Sequence, residues 1–95
     1  ASAAEDFVLS LSRFPNIVIV GTSTKGMLSD TYSFELPNKM EVSLSNQLYY
    51  DVNKNVLEDK GVSPTVEARN SRKDLDAKAD AVLTKAFEVL KSKDL

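Results

Sequence analysis

Near the start of the chain apolar residues recur at helical spacing: Ala3, Ala4, Phe7, Val8 and Leu11 fall on one face. Phe14-Pro15-Asn16 ends that helix, because a residue before proline is pushed out of the helical region. Ile17-Val18-Ile19-Val20 comes next as an unbroken β-branched run, the pattern of a strand covered on both faces. Gly21-Thr22-Ser23-Thr24-Lys25-Gly26 is small, polar and bracketed by glycines, and reads as a loop. From Tyr32 the period becomes two. Tyr32, Phe34 and Leu36 share a face, and after the turn at Pro37-Asn38-Lys39 so do Met40, Val42 and Leu44, which predicts an antiparallel hairpin. Its aromatics read as sheet packing.

Leu48 to Val52 continues as an extended segment, and Asn53-Lys54-Asn55 is a polar turn. Val56 to Pro64 is irregular, with a turn near Gly61, and Glu67 to Lys73 reads as a surface connection. Ser71-x-x-Asp74, or Asp74 itself, is placed to cap a helix beginning there. Leu75, Ala79, Val82, Leu83, Ala86, Phe87 and Leu90 then step by three and four, which predicts one long terminal helix. Its acids Asp74, Asp76 and Asp80 lie early and Lys91 and Lys93 late, as the helix dipole favours. Helix, turn and buried strand together indicate an α/β fold.

Composition narrows the chemistry. The 95 residues make one small domain or part of one. A net charge of -2 argues against a nucleic-acid partner, which a basic face would signal. With no His and no Cys, zinc, haem and thiolate chemistry are not expected, and neither is any cofactor. A complete Ser-His-acid set cannot be assembled within the chain. Gly21 and Gly26 have the spacing of a phosphate-binding loop, but Met27 and Leu28 stand where Lys and Ser/Thr belong, so the nucleotide reading fails.

The first residues, Ala1-Ser2-Ala3-Ala4-Glu5, admit two readings. Ser2-x-x-Glu5 fits a capping box. A serine in the first helical turn also sits among unpaired backbone N–H groups at the positive end of the helix dipole, where an oxyanion is stabilised. The absence of an initiator Met, with helix-like sequence from the outset, suggests a piece of a longer protein.

Taken in order, these segments resemble the tail-specific, or C-terminal processing, serine peptidases, in the manner of the branch holding tricorn-like peptidases and retinoid-binding relatives. Ser2-Ala3-Ala4-Glu5 is similar to that family's nucleophile segment, and Ile19-Val20-Gly21-Thr22-x-Thr24-x-Gly26 to the strand and loop after it. Tyr32 to Ser45 resembles its hairpin, and Glu58-x-x-Gly61-Val62-x-Pro64 its late acid motif, with Thr65 where the family usually has Asp. The resemblance implies a crotonase- or Clp-protease-like α/β core: helix, buried strand, antiparallel hairpin, extended segment and C-terminal helix. Residues 1–95 would be a single fragment, the C-terminal half of a serine peptidase catalytic domain.

On that resemblance Ser2 is the nucleophile and the Ala3 N–H an oxyanion donor. The lysine base of one branch is not matched, since Met27 occupies its position and Lys25 lies on the other side of Gly26. The tricorn-like branch uses a His from earlier in the chain, assisted by an acid that Glu58 matches. The implied partners are the upstream part of the same protein and a polypeptide substrate, with self-association of the isolated chain. The implied compartment is the bacterial periplasm or envelope. A binding module on the same scaffold, as in the retinoid-binding relatives, is the alternative.

Overall fold

The computed structural model describes residues 1–93. Helix α1 (Ala3–Leu11) carries Glu5 and Asp6 in its first turn, where acids complement the helix dipole. It stops at Leu11, before the proline, where the Ser12 hydroxyl donates back to the Leu9 carbonyl at 2.6 Å.

Strand β1 (Val20–Gly21) pairs in parallel with β4 (Val66–Glu67), Val20 opposite Val66 and Gly21 opposite Glu67. Hydrogen bonding begins at Ile19, whose carbonyl accepts from Thr65 and Val66 N–H at 2.8 and 3.0 Å. This corrects two expectations. The Ile17–Val20 run is half-buried rather than enclosed, because among the described residues β4 is the only strand that pairs with β1. Glu67 belongs to a strand and not to the surface connection expected from Glu67 to Lys73; a two-residue strand is too short to show the alternation by which to read it.

Strands β2 (Thr31–Glu35) and β3 (Glu41–Ser45) form the expected hairpin, with Tyr32 opposite Leu44 and Phe34 opposite Val42. The turn closes through Leu36 N–H to the Met40 carbonyl at 2.7 Å, and Lys39 takes the left-handed conformation at φ 69°. Glu35 faces Glu41 across the ladder, a like-charge pairing that Lys39 relieves by bonding Glu35 at 3.2 Å. The extended segment after the hairpin folds back on itself: Tyr50 bridges Val56 around a turn organised by Asp51. The Asp51 carboxylate accepts from Asn53 N–H, Asn55 N–H and the Asn55 side-chain amide at 2.8–2.9 Å.

The terminal helix is two helices, α2 (Arg72–Asp76) and α3 (Ala81–Ser92). Ser71 and Asp74 form the anticipated capping box at the start of α2. Lys78, at φ 52°, breaks the helical path, and Asp80 restarts it by accepting from Leu83 N–H at 2.9 Å. Apolar periodicity runs through the break because three- and four-residue steps do not register a cap.

The buried core is small: Leu28, Leu57 and Val62, flanked by Val8, Leu9, Ile19 and Tyr49. Leu28 belongs to the extended chain between β1 and the hairpin, so that segment is held from below by packing as well as by hydrogen bonds.

Candidate active site

The site is organised by one extended segment, Gly26 to Ser29, gripped by carboxylates from two directions. Glu5, in the first turn of α1, accepts from Gly26 N–H at 2.6 Å and from Met27 N–H at 2.8 Å, one bond to each oxygen. Glu58, in the turn after Leu57, accepts on Oε2 from Leu28 N–H at 3.3 Å and Ser29 N–H at 3.1 Å. Four consecutive N–H groups are thus satisfied by two acids far apart in sequence.

Glycines make this approach possible. Gly26 has φ 79°, and a Cβ there would lie 2.6–2.8 Å from the backbone nitrogens of Asp59, Lys60 and Gly61. Its carbonyl accepts from Asp59 N–H at 2.8 Å. Gly61, at φ 76°, packs flat on the Thr24 backbone, with no room for a side chain. Thr24 completes the dock: its N–H donates to the Val62 carbonyl at 3.0 Å and its hydroxyl oxygen accepts from Val62 N–H at 2.7 Å. The turn bearing Glu58 is therefore fixed to the segment beside it by backbone contacts.

Ser2 sits at the other end of the grip. Its N–H donates to the Met27 carbonyl at 2.5 Å, while its own carbonyl accepts from Glu5 and Asp6 N–H at 2.8 and 3.1 Å. With both flanking peptide planes held, Ser2 adopts φ 52° and ψ −126°. A non-glycine residue with positive φ carries a strain of roughly 1–3 kcal/mol and persists only where its surroundings over-determine it. Its side chain is exposed and makes no capping hydrogen bond. The expected capping box is therefore not formed: Glu5 turns away from the Ser2 backbone N–H and toward Gly26 and Met27. Ala3, as the first residue of α1, presents an N–H with no intrahelical acceptor, directly after the serine.

Glu5 is the residue that sequence reasoning assigned the wrong partner. It is only 2 % exposed. Burial pushes its carboxyl up, but the Thr24 hydroxyl and the Gly26 and Met27 N–H groups pull harder and bring it down to about 2. It is a charged carboxylate in a nearly dry site, stabilised by converging donors. Its spacing from Ser2 matched a capping box, and no local signal announced donors some twenty residues on. Lys25 is exposed on the loop.

The structure brings Ser2 and Glu58 onto one four-residue segment: Ser2 bonds Met27, and Glu58 bonds Leu28 and Ser29. The model of peptidase family S41 matches residues 1–68, a span that contains Ser2, Glu5, the gripped segment and Glu58 and ends before α2. A crystal structure of a candidate peptidase from Parabacteroides merdae is similar to this chain at a TM-score of 0.83 and 30% identity. The similarity covers 94% of this chain and 28% of that one, so the chain spans little more than a quarter of its structural relative. No curated protein matches it.

Proposed function

The chain belongs to peptidase family S41, and we propose that it supplies the nucleophile-bearing, C-terminal half of the catalytic domain of a serine endopeptidase of the tricorn-like branch. In this reading the Ser2 hydroxyl attacks a peptide carbonyl of a polypeptide near its C-terminus. A histidine from the upstream part of the protein takes the hydroxyl proton and returns it to the leaving amine. The Ala3 N–H donates to the oxyanion, and Glu58 orients the histidine. The resulting acyl-enzyme is then hydrolysed by water activated by the same base.

The observation that carries the reading is the backbone of Ser2. A serine held at positive φ with its hydroxyl exposed, at the start of a helix and next to an unpaired N–H, is arranged as a nucleophile and not as a cap. Oxyanion donors aimed in advance at developing charge are worth roughly a hundredfold or more in rate. The tricorn-like assignment rests on Met27 standing where the lysine-using branch keeps its base, and on Glu58 having one carboxylate oxygen pinned.

The upstream part has surface to cover. The chain exposes 7569 Å², against about 5,400 Å² for a compact protein of its mass. Phe7, on the apolar face of α1, is 65% exposed. We place the remainder of a crotonase- or Clp-like core against this face, and infer that the isolated chain is inactive and self-associates.

The test is a serine-directed phosphonate applied to the complete protein, followed by peptide mapping. Labelling of the peptide that holds Ser2 is expected. A folded complete protein that takes no label, or takes it elsewhere, removes the peptidase reading and leaves a binding module on the same scaffold.

A further inference from the structure

Glu5 has no part in the chemistry just described, yet it is the most deeply buried charged group of the described residues and makes the shortest side-chain contact to the gripped segment. We propose that Glu5 is the positioning residue of the active site: by clamping Gly26 and Met27 it holds Ser2 in its attacking conformation and fixes the distance between Ser2 and Glu58. The inference rests on the reading of Ser2 as nucleophile.

The argument is geometric. Met27 is bound to α1 at both of its polar backbone atoms, its N–H by Glu5 Oε2 at 2.8 Å and its carbonyl by Ser2 N–H at 2.5 Å. The second contact fixes the peptide plane before Ser2. The helix fixes the plane after it, through Glu5 and Asp6 N–H. Removal of the Glu5 contact frees Met27, and with it the acceptor that keeps Ser2 at φ 52°; the serine then has a route to relax out of a strained conformation. The same segment continues into Leu28 and Ser29, which Glu58 holds, so a shift at Gly26 and Met27 is passed to the orienting acid within two residues.

A carboxylate suits the task and a carboxamide does not. Each Glu5 oxygen accepts from a different backbone N–H. Glutamine keeps one acceptor and turns an NH₂ toward the other donor, so one of the two bonds is lost without loss of side-chain volume.

The experiment measures kcat, KM, the pH–rate profile and phosphonate inactivation for the complete protein and for its Glu5→Gln, Glu5→Asp and Ser71→Ala variants. Ser71→Ala is a destabilised control remote from the site. Displacements of the order of 1 Å cost about a hundredfold in rate. Glu5→Gln is therefore expected to lower kcat and the inactivation rate about a hundredfold together, with KM and both limbs of the pH profile unchanged. Glu5→Asp keeps the charge but shortens the reach, and about tenfold is expected. Ser71→Ala should keep its kcat. A folded Glu5→Gln protein with kcat within about twofold of the parent overturns the inference and leaves Ser2 as nucleophile. Loss of a pH limb also overturns it, because Glu5 would then exchange protons instead of positioning. If the glutamine variant does not fold, Glu5→Asp decides by the same two criteria. A parent protein that is not labelled at Ser2 overturns the reading of the site, and this inference with it.

Discussion

On the proposed role of Ser2, stability and activity pull in opposite directions there. The residue sits at a φ that glycine tolerates without penalty. Ser2→Gly is therefore expected to raise unfolding free energy by roughly 1 kcal/mol while abolishing peptidase activity, a pairing that denaturant melts and rate assays on one preparation would detect. A capping serine predicts the reverse, a loss of stability on substitution. Glu5 gives a second residue-scale expectation. Its carboxyl lies well below the ordinary value, so its contribution to stability is complete above about 4.5 and is lost as the pH falls through about 2. The groups facing it are the Thr24 hydroxyl and the Gly26 and Met27 N–H groups. Urea titrations from about pH 5 down to about pH 2 should show that decline, and Glu5→Gln should flatten it.

Among the elements, the tightest constraint lies where the turn bearing Glu58 meets the Gly26 segment. A methyl group at Gly26 meets three backbone nitrogens, none on a flexible side chain, and also forces a strained φ. Gly26→Ala should cost roughly 2–3 kcal/mol and displace Glu58, measurable as a lowered denaturation midpoint with loss of activity. By contrast, Ser71→Ala removes only the cap of α2 and should cost about 1 kcal/mol. What the sequence disclosed divides along the same line. The first helix, the hairpin and its turn, the Asn53–Asn55 turn and the Ser71–Asp74 cap are local, written in short spacings along the chain. The pairing of Val66–Glu67 with Val20–Gly21 and the reach of Glu5 to Gly26 are long-range, and stretches of one or two residues carry no periodic trace of a distant partner. The break at Lys78 was hidden for another reason: Asp80 reads as one of the early acids of a single helix when it is the cap of a second. Ser2 and Glu58 were singled out only as parts of an ordered set of motifs. The segment that joins them, Gly26 to Ser29, carried no signal, because it meets Glu5 and Glu58 through backbone N–H groups that every residue but proline has.

The whole molecule is thin and open, 60 × 36 × 17 Å with a radius of gyration of 17.7 Å, where a compact chain of this length has about 12 Å. Tyr32, Phe34 and Leu44 line an exposed hairpin face, and Leu83, Phe87 and Leu90 lie exposed on α3. Surface of this kind marks association sites. The isolated chain should therefore run larger than its 10.4 kDa mass in size-exclusion chromatography with light scattering, increasingly so with concentration; a monomer at every concentration would count against an absent companion. The central claim concerns the serine that this open scaffold holds under strain. Its most direct test is kcat of the complete protein against its Ser2→Ala variant, with circular dichroism to establish that both are folded. A fall on the order of 10⁴–10⁶-fold with an unchanged spectrum is predicted for a lost nucleophile. A folded alanine variant that cleaves at the parental rate would contradict the account.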